Sequence, residues 1–267
     1  MAAHDIVAVR KAAGLPNPHT PSGSIPLALP VRRAASNGNA DALDDATMSA
    51  SLDERIARRV AFLTDYQNAA YAAKYRALVD KVRAAEQAKT PGFTTLTEAV
   101  ARYAFKLMAY KDEYEVARLY TSGDFEQRIR DTFDGDFKLH FNLAPPLLAK
   151  RDADGNLKKA EYGPWVFKAF KLLAKMRGLR GGAFDVFGKT AERRMERKLI
   201  ADYGKTVDEL IAGLNGENHA LAVDIASVPE HIRGYGHVKE RHFENAMKRQ
   251  DDLLAAWRNP AADRVAA

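Results

Sequence analysis

Cysteine is absent from all 267 residues. That excludes disulfides, thiolate zinc sites, cysteine nucleophiles and cysteine-held iron–sulfur clusters within this chain. Long apolar runs are missing too, none approaching the roughly 20 residues needed to cross a bilayer. The N-terminal stretch MAAHDIVAVRKAAG carries an acidic residue and no hydrophobic signal core, so it does not read as a secretory peptide and the expected compartment is the cytoplasm. No nucleophile elbow, phosphate-binding loop, acidic metal cluster or fixed-period repeat is present. Uninterrupted basic blocks are lacking as well. The formal charge is +6, but Lys and Arg alternate with acids, as in Arg193-Arg194-Met195-Glu196-Arg197-Lys198. This pattern reads mainly as a solvated or domain-contacting face, with a binding module for nucleic acid or an acidic ligand as the alternative.

What remains is an ordinary globular composition, 46% hydrophobic and 28% charged, in a chain long enough to bury a core. Residues 1–50 stand apart. A short helical pattern at 5–13 gives way to Pro16, Pro18, Pro21, Pro26 and Pro30 and then to Ser36-Asn37-Gly38-Asn39, a tract too polar to offset its ordering entropy. This segment reads as the tail of an upstream domain followed by a linker, with a helical domain over 51–267.

In that domain Ser51-Leu52-Asp53-Glu54 is a capping-box pattern opening a long helix to about residue 88. A central helix is predicted over 95–120, its seam Leu96, Val100, Tyr103, Leu107, Tyr110, Tyr114 and Ala117 alternating in steps of four and three. A short helix follows at 124–133. Phe137, Leu139, Phe141 and Leu143 then alternate with polar residues, which predicts a half-buried strand. Extended segments at 147–151 and 157–162 flank the turn Asp152–Asn156, giving a small antiparallel ribbon. Helices are expected at 165–177, 190–203 (stopped by Gly204), 206–214 (opened by a second capping box at Thr206), 217–228 and 238–257, with a glycine- and phenylalanine-rich loop at 179–188. The fold class is mainly α, a multi-helix domain with a small antiparallel β ribbon.

Candidate sites are few. Asp152, Asp154 and Asn156 match the first ligands of a calcium loop, but the glycine is misplaced and lysines intrude, so a hairpin turn accounts for them better. His237 and His242 are five apart, which puts them on different helix faces and argues against a zinc pair. Gly234-Tyr235-Gly236 precedes a helix whose N–H groups point outward for an anion, without the strand or third glycine of a dinucleotide fingerprint; a plain turn is the simpler reading. Lys111-Asp112-Glu113-Tyr114 is the densest polar cluster beside an apolar seam. Its adjacent carboxylates point about 100° apart on a helix, which suits buried structural pairs better than an acid–base couple. Arg193, Arg194, Glu196 and Arg197 likewise read as structural, mainly as a solvated or domain-contacting face.

Six stretches carry a family resemblance: SLDERIARRVAFLTDYQNAAYAAKYRALV (51–79), LMAYKDEYEVARLY (107–120), GDFKLHFNLAPPLLAKRD (135–152), YGPWVFKAFKLLAKMRGLRG (162–181), FGKTAERRMERKLI (187–200) and ENHALAVDIASVPEHIRGYGHVKE (217–240). In this order, over about residues 51–258, they resemble the C-terminal domain of the long fused bacterial indolepyruvate ferredoxin oxidoreductases, a domain of unknown function that follows the gamma-type domain. MAAHDIVAVRKAAG resembles the end of that preceding domain. The resemblance implies a parent enzyme that oxidatively decarboxylates aryl-2-oxo acids to arylacyl-coenzyme A, using thiamine diphosphate with magnesium and passing electrons through iron–sulfur clusters to ferredoxin. This chain lacks the Gly-Asp-Gly…Asn-Asn diphosphate motif: Gly123-Asp124 and Gly135-Asp136 are each followed by phenylalanine. No catalytic, cofactor or metal residue carries over. The expectation is an accessory piece without activity of its own, whose partners are the thiamine-binding and gamma-type domains, docked through 105–120 and 178–188. A free-standing enzyme built on Lys111, Asp112 and Glu113 is the remaining alternative, and no membrane partner is implied.

Overall fold

The apolar residues of 95–108 cover about 240° of the helix circumference, leaving one stripe of Thr95, Glu98, Arg102 and Lys106, and the fold follows from that. In the computed structural model, which describes residues 51–132, 138–143, 158, 160–234 and 236–259, this segment is α3, Thr95–Met108, the central helix. The others are α1 Leu52–Tyr66, α2 Ala69–Lys89, α4 Glu113–Thr121, α5 Gly123–Thr132, α6 Trp165–Lys175, α7 Ala191–Gly213, α8 His219–Ser227 and α9 Gly236–Arg258. Two 3₁₀ turns, Met176–Leu179 and Val228–His231, follow α6 and α8, and strands β1 (Phe141–Leu143) and β2 (Ala160–Tyr162) form one antiparallel pair. All described residues fall within one unit, Ser36–Ala267. The fold is mainly α with a small ribbon, as the periodicity predicts.

A helix apolar over so wide an arc must be covered by several elements, and α3 packs against α1, α2, α7, α8 and the second 3₁₀ turn. Leu96, Val100, Tyr103, Phe105 and Leu107 are buried there with Ile56, Leu63, Val79, Val82, Leu210 and Ile225. The first turn of α3 has no side-chain cap of its own at Thr94. Glu86 of α2 supplies one instead, accepting from the amides of Leu96 (2.8 Å) and Thr97 (2.9 Å) and from the Thr97 hydroxyl (2.5 Å). His219 Nε2 lies 2.7 Å from the same carboxylate. Burial alone would raise the Glu86 pKa, but these donors outweigh it and hold the carboxyl below its ordinary value. Tyrosines brace the helix further: Tyr75 donates to the carbonyl of Ala101 (2.9 Å) and Tyr71 to that of Met108 (3.0 Å).

Four predicted helices have different limits. The 51–88 helix is two, divided at Gln67-Asn68, because the Asn68 side chain accepts from the Tyr71 amide (2.8 Å) and caps α2. The 95–120 helix is also two, broken at 109–112, where Asp112 Oδ1 accepts from the Glu115 amide (2.9 Å) and starts α4. Conversely, 190–203 and 206–214 are one helix, α7, running through Gly204. Leu199, Tyr203, Val207, Leu210 and Ile211 bury a continuous face across that glycine, and such burial exceeds the ~1 kcal/mol a helical glycine costs. Thr206 is therefore inside a helix, where its hydroxyl accepts from Gln250 Nε2 (3.3 Å). The helix predicted over 217–228 does end before Pro229, at Ser227, and Pro229 lies at the start of the second 3₁₀ turn.

The ribbon pairs Phe141 with Tyr162, Asn142 with Glu161 and Leu143 with Ala160. The predicted alternation holds, with Phe141 buried and Lys138, His140 and Asn142 exposed, although the ladder starts only at Phe141. The 147–151 segment, the Asp152–Asn156 turn and residues 1–50 lie outside the described residues.

Candidate functional site: a polar neck between body and arm

The break at 109–112 divides the unit. Residues 113–179 leave the α1–α3/α7–α9 body as an arm (α4, α5, the ribbon, α6) and return through 180–190. The arm has its own aromatic core: Tyr120 stacks on Phe170 (5.6 Å between centroids) and meets Phe125 (5.1 Å) and Phe141 (5.3 Å) edge-on, and Phe141 meets Phe170 at 5.5 Å. The α4–α6 pairing is its main helix contact.

Where the chain leaves and re-enters the body, buried polar groups converge. Arg180 donates from Nε to Asp112 Oδ2 (2.5 Å) and from Nη2 to Asp112 Oδ1 (2.8 Å), with both side chains buried. Arg180 Nη1 also donates to the Tyr66 carbonyl, and its guanidinium lies 3.6 Å above the Tyr66 ring. A buried guanidinium would ordinarily lose basicity, but the Asp112 contacts outweigh desolvation and hold the Arg180 pKa above its usual value. Tyr66 donates to the Tyr110 carbonyl (2.8 Å) at the frayed end of α3, and Gln67 Nε2 donates to the Arg180 carbonyl (3.2 Å). Burial first, and the Asp112 charge second, push Tyr66 well above the usual phenol range and Tyr110 up to about 12.

The returning loop is held by Asp185. Its Oδ1 accepts from the amides of Phe187 (3.2 Å) and Gly188 (2.9 Å) and from the Tyr114 hydroxyl (3.2 Å), while Oδ2 accepts from the Gly181 amide (2.7 Å). Gly181 has φ of +73°, and a Cβ at Gly188 would sit 2.3 Å from Asp185 Oδ2, so the loop's glycines are required by this grip. Phe187 meets Tyr114 edge-on at 5.4 Å. Next to it, Arg193 of α7 lies 3.4 Å from Glu113 Oε2, an ion pair without hydrogen-bond geometry, and its guanidinium is 5.8 Å from the Tyr110 ring centroid.

The predicted site residues thus divide. Asp112, Glu113, Tyr114 and Arg193 come together in the neck. The two carboxylates face different arginines, so they form no acid–base couple. Lys111, Glu196 and Gly234 meet elsewhere, lining a cavity of about 40 Å³ with Lys106, Glu192 and Lys239. Glu196 pairs with Lys239 there. A space of that size holds a water or two and no organic substrate. Gly234 has φ of +91°; Gly236 and His237 form the first turn of α9. Arg194 is apart, donating to the Lys189 carbonyl (2.9 Å). His242 is bound through Nδ1 to the Arg233 carbonyl (2.9 Å), and among the described residues no group of His, Asp and Glu is arranged for a metal. The basic run at 189–198 is partly consumed internally, since Arg193 is buried against Glu113 and Lys198 pairs with Asp202.

Sequence reasoning missed Arg180 and Asp185. Arg180 meets Asp112, 68 residues away, and Asp185 meets Tyr114, 71 residues away, separations no local pattern reports, although Asp185 also holds amides of its own loop. The helix break had a local signal, because Asp112-Glu113-Tyr114-Glu115 has the spacing of a capping box.

Compared with known proteins, residues 52–252 match a family described as a family of unknown function (DUF6537). No curated protein and no solved structure matches the chain.

Proposed function

The chain belongs to that family of unknown function, and we propose that it serves as the accessory C-terminal piece of an indolepyruvate ferredoxin oxidoreductase-type enzyme, acting beside thiamine-binding and gamma-type partners. The observation that carries this reading is the ordered resemblance over residues 51–258. The composition agrees with a supporting role, because a chain without cysteine or a diphosphate-anchoring motif has no ligands for the parent's clusters or thiamine diphosphate.

The geometry narrows where such docking would occur. The apolar side chains of α3 and much of α4 are turned inward, with Phe105, Leu107, Tyr114 and Ala117 buried. Of the two expected docking elements, the 178–188 loop is the one with free apolar tips: Phe184 is 80% and Val186 57% exposed. Asp185 anchors the loop from between them, so the tips are displayed on a fixed backbone, which lowers the ordering cost of association.

The test is reconstitution. The full chain, mixed with thiamine-binding and gamma-type chains of an indolepyruvate ferredoxin oxidoreductase, should co-elute with them on size exclusion, and Phe184→Asp should weaken that association. Separate elution at micromolar concentrations of every component would overturn the reading.

A further inference from the structure

The arm's helix α6 has more apolar surface than the rest of the arm covers. At 100° per residue, the sequence Trp165-Val-Phe-Lys-Ala-Phe-Lys-Leu-Leu-Ala-Lys-Met176 forms an apolar arc of about 220° and a separate lysine stripe. Val166, Phe170, Leu173 and Ala174 form the buried and half-buried half of this arc. The other half is open. Trp165 is 61%, Leu172 63% and Met176 39% exposed, and Ala169 between them is exposed as well. Trp165 rests edge-on against Tyr162, 6.1 Å between centroids.

The open residues are spaced four, three and four apart. That is the d-a-d-a register of a coiled-coil seam, one side chain wide and about 16 Å long. In this register Lys168 and Lys175 occupy the g positions that border the seam, and both are exposed. Neither pairs with an acid among the described residues. The opposite flank, Val166 and Leu173, faces into this chain, and no acidic residue occurs between Trp165 and Gly182.

We infer that the 165/169/172/176 face of α6 is a docking seam for an acidic amphipathic helix on another polypeptide, whose apolar ridge covers Trp165, Leu172 and Met176 and whose carboxylates meet Lys168 and Lys175. A single-helix seam fits this surface better than a lipid bilayer does, because a helix lying in a membrane interface sinks its whole apolar arc, and half of this arc is already occupied. A second copy fits poorly, since antiparallel pairing of two such seams sets lysine against lysine. The inference uses α6 alone and does not depend on the oxidoreductase setting.

The probe is a fluorescein-labelled peptide of about three heptads with leucine at a and d and glutamate at e and g, titrated with the full chain and read by anisotropy. The peptide should bind, and its counterpart with lysine at e and g should not. Lys168→Glu with Lys175→Glu should weaken binding at least about tenfold, as should Leu172→Glu. These positions are exposed, so circular dichroism should be unchanged. Equal binding of both peptides, or of neither, overturns the seam. So does binding to phosphatidylserine vesicles by a chain that ignores the peptide, which would make the face a lipid surface. A concentration-dependent dimer abolished by Leu172→Glu would assign the face to a second copy and likewise overturn it.

Discussion

The body and the arm solve the same problem with different materials. The body surrounds most of one helix with apolar residues and uses tyrosine hydroxyls to satisfy carbonyls at depth; Tyr203 does this for Ala226 (2.9 Å) as Tyr75 does for Ala101. Among the described residues of the arm no helix is covered to that extent. It is held by a few aromatic contacts around Tyr120, Phe141 and Phe170 and leaves much of α6 in solvent. Close packing on all sides gives the body its local stability, whereas the arm depends on being tied down at the neck. The neck is polar because it must fix two chain crossings at once, and bidentate charge-assisted bonds specify geometry better than apolar contact does.

The sharpest way to break this contrast is Asp112→Ala. It leaves the Arg180 guanidinium buried without its counter-ion and removes the α4 cap, so about 3–5 kcal/mol of stability should be lost. Urea unfolding measures the loss, and hydrogen exchange should accelerate in 113–179 before it does in α3. Asp112→Leu with Arg180→Met should recover much of the loss, because burying a charge pair contributes little beyond what an apolar pair would. Equal acceleration in body and arm would show that the two are one cooperative unit.

Glu86→Gln strikes the body instead. It weakens the borrowed cap of α3 and should cost about 1–3 kcal/mol. Because the folded Glu86 pKa lies below the ordinary carboxyl value of 4.5, its contribution is complete above that value and fades as pH falls through the folded pKa. The wild type should therefore lose stability on acidification below about pH 4.5 more steeply than Glu86→Gln, as read from melting temperatures across pH.

Gly188→Ala tests the return loop. Its Cβ collides with the Asp185 carboxylate, so Asp185 must release some of its amide partners at a cost of about 1–2 kcal/mol. The smallest effect has the opposite sign. Gly204 lies within α7 with nothing inside 4 Å of a built Cβ, so Gly204→Ala should stabilise by about 0.4–1 kcal/mol. A loss there would mean that α7 is not continuous in solution.

The same contrast explains what could be read from the sequence. The body was legible because Leu96, Val100, Tyr103 and Leu107 keep helical period and their burial follows from it. The capping signal at Asp112 was overridden because Tyr110 and Tyr114 stay in step across the break, four apart, although one sits in the linker and the other in the next helix. Gly204 misled in the other direction: a residue that stops isolated helices was carried through by packing from α2, α3 and α8. Asp112 and Glu113 drew notice as charged neighbours and each meets an arginine in the neck, whereas Arg193, read mainly as part of a solvated or domain-contacting face, is buried. Arg180 could not be found this way, because its partner is fixed by the fold and by nothing nearby in the chain.

The neck has one more consequence. Because residue 112 and residue 180 clasp each other side chain to side chain, the polypeptide enters and exits the 113–179 segment through a single gateway. A segment anchored that way is a module: it can be excised and replaced by a short bridge, enlarged or exchanged, while α3 and the helices around it keep their places. Variation among relatives should collect on the far side of that gateway.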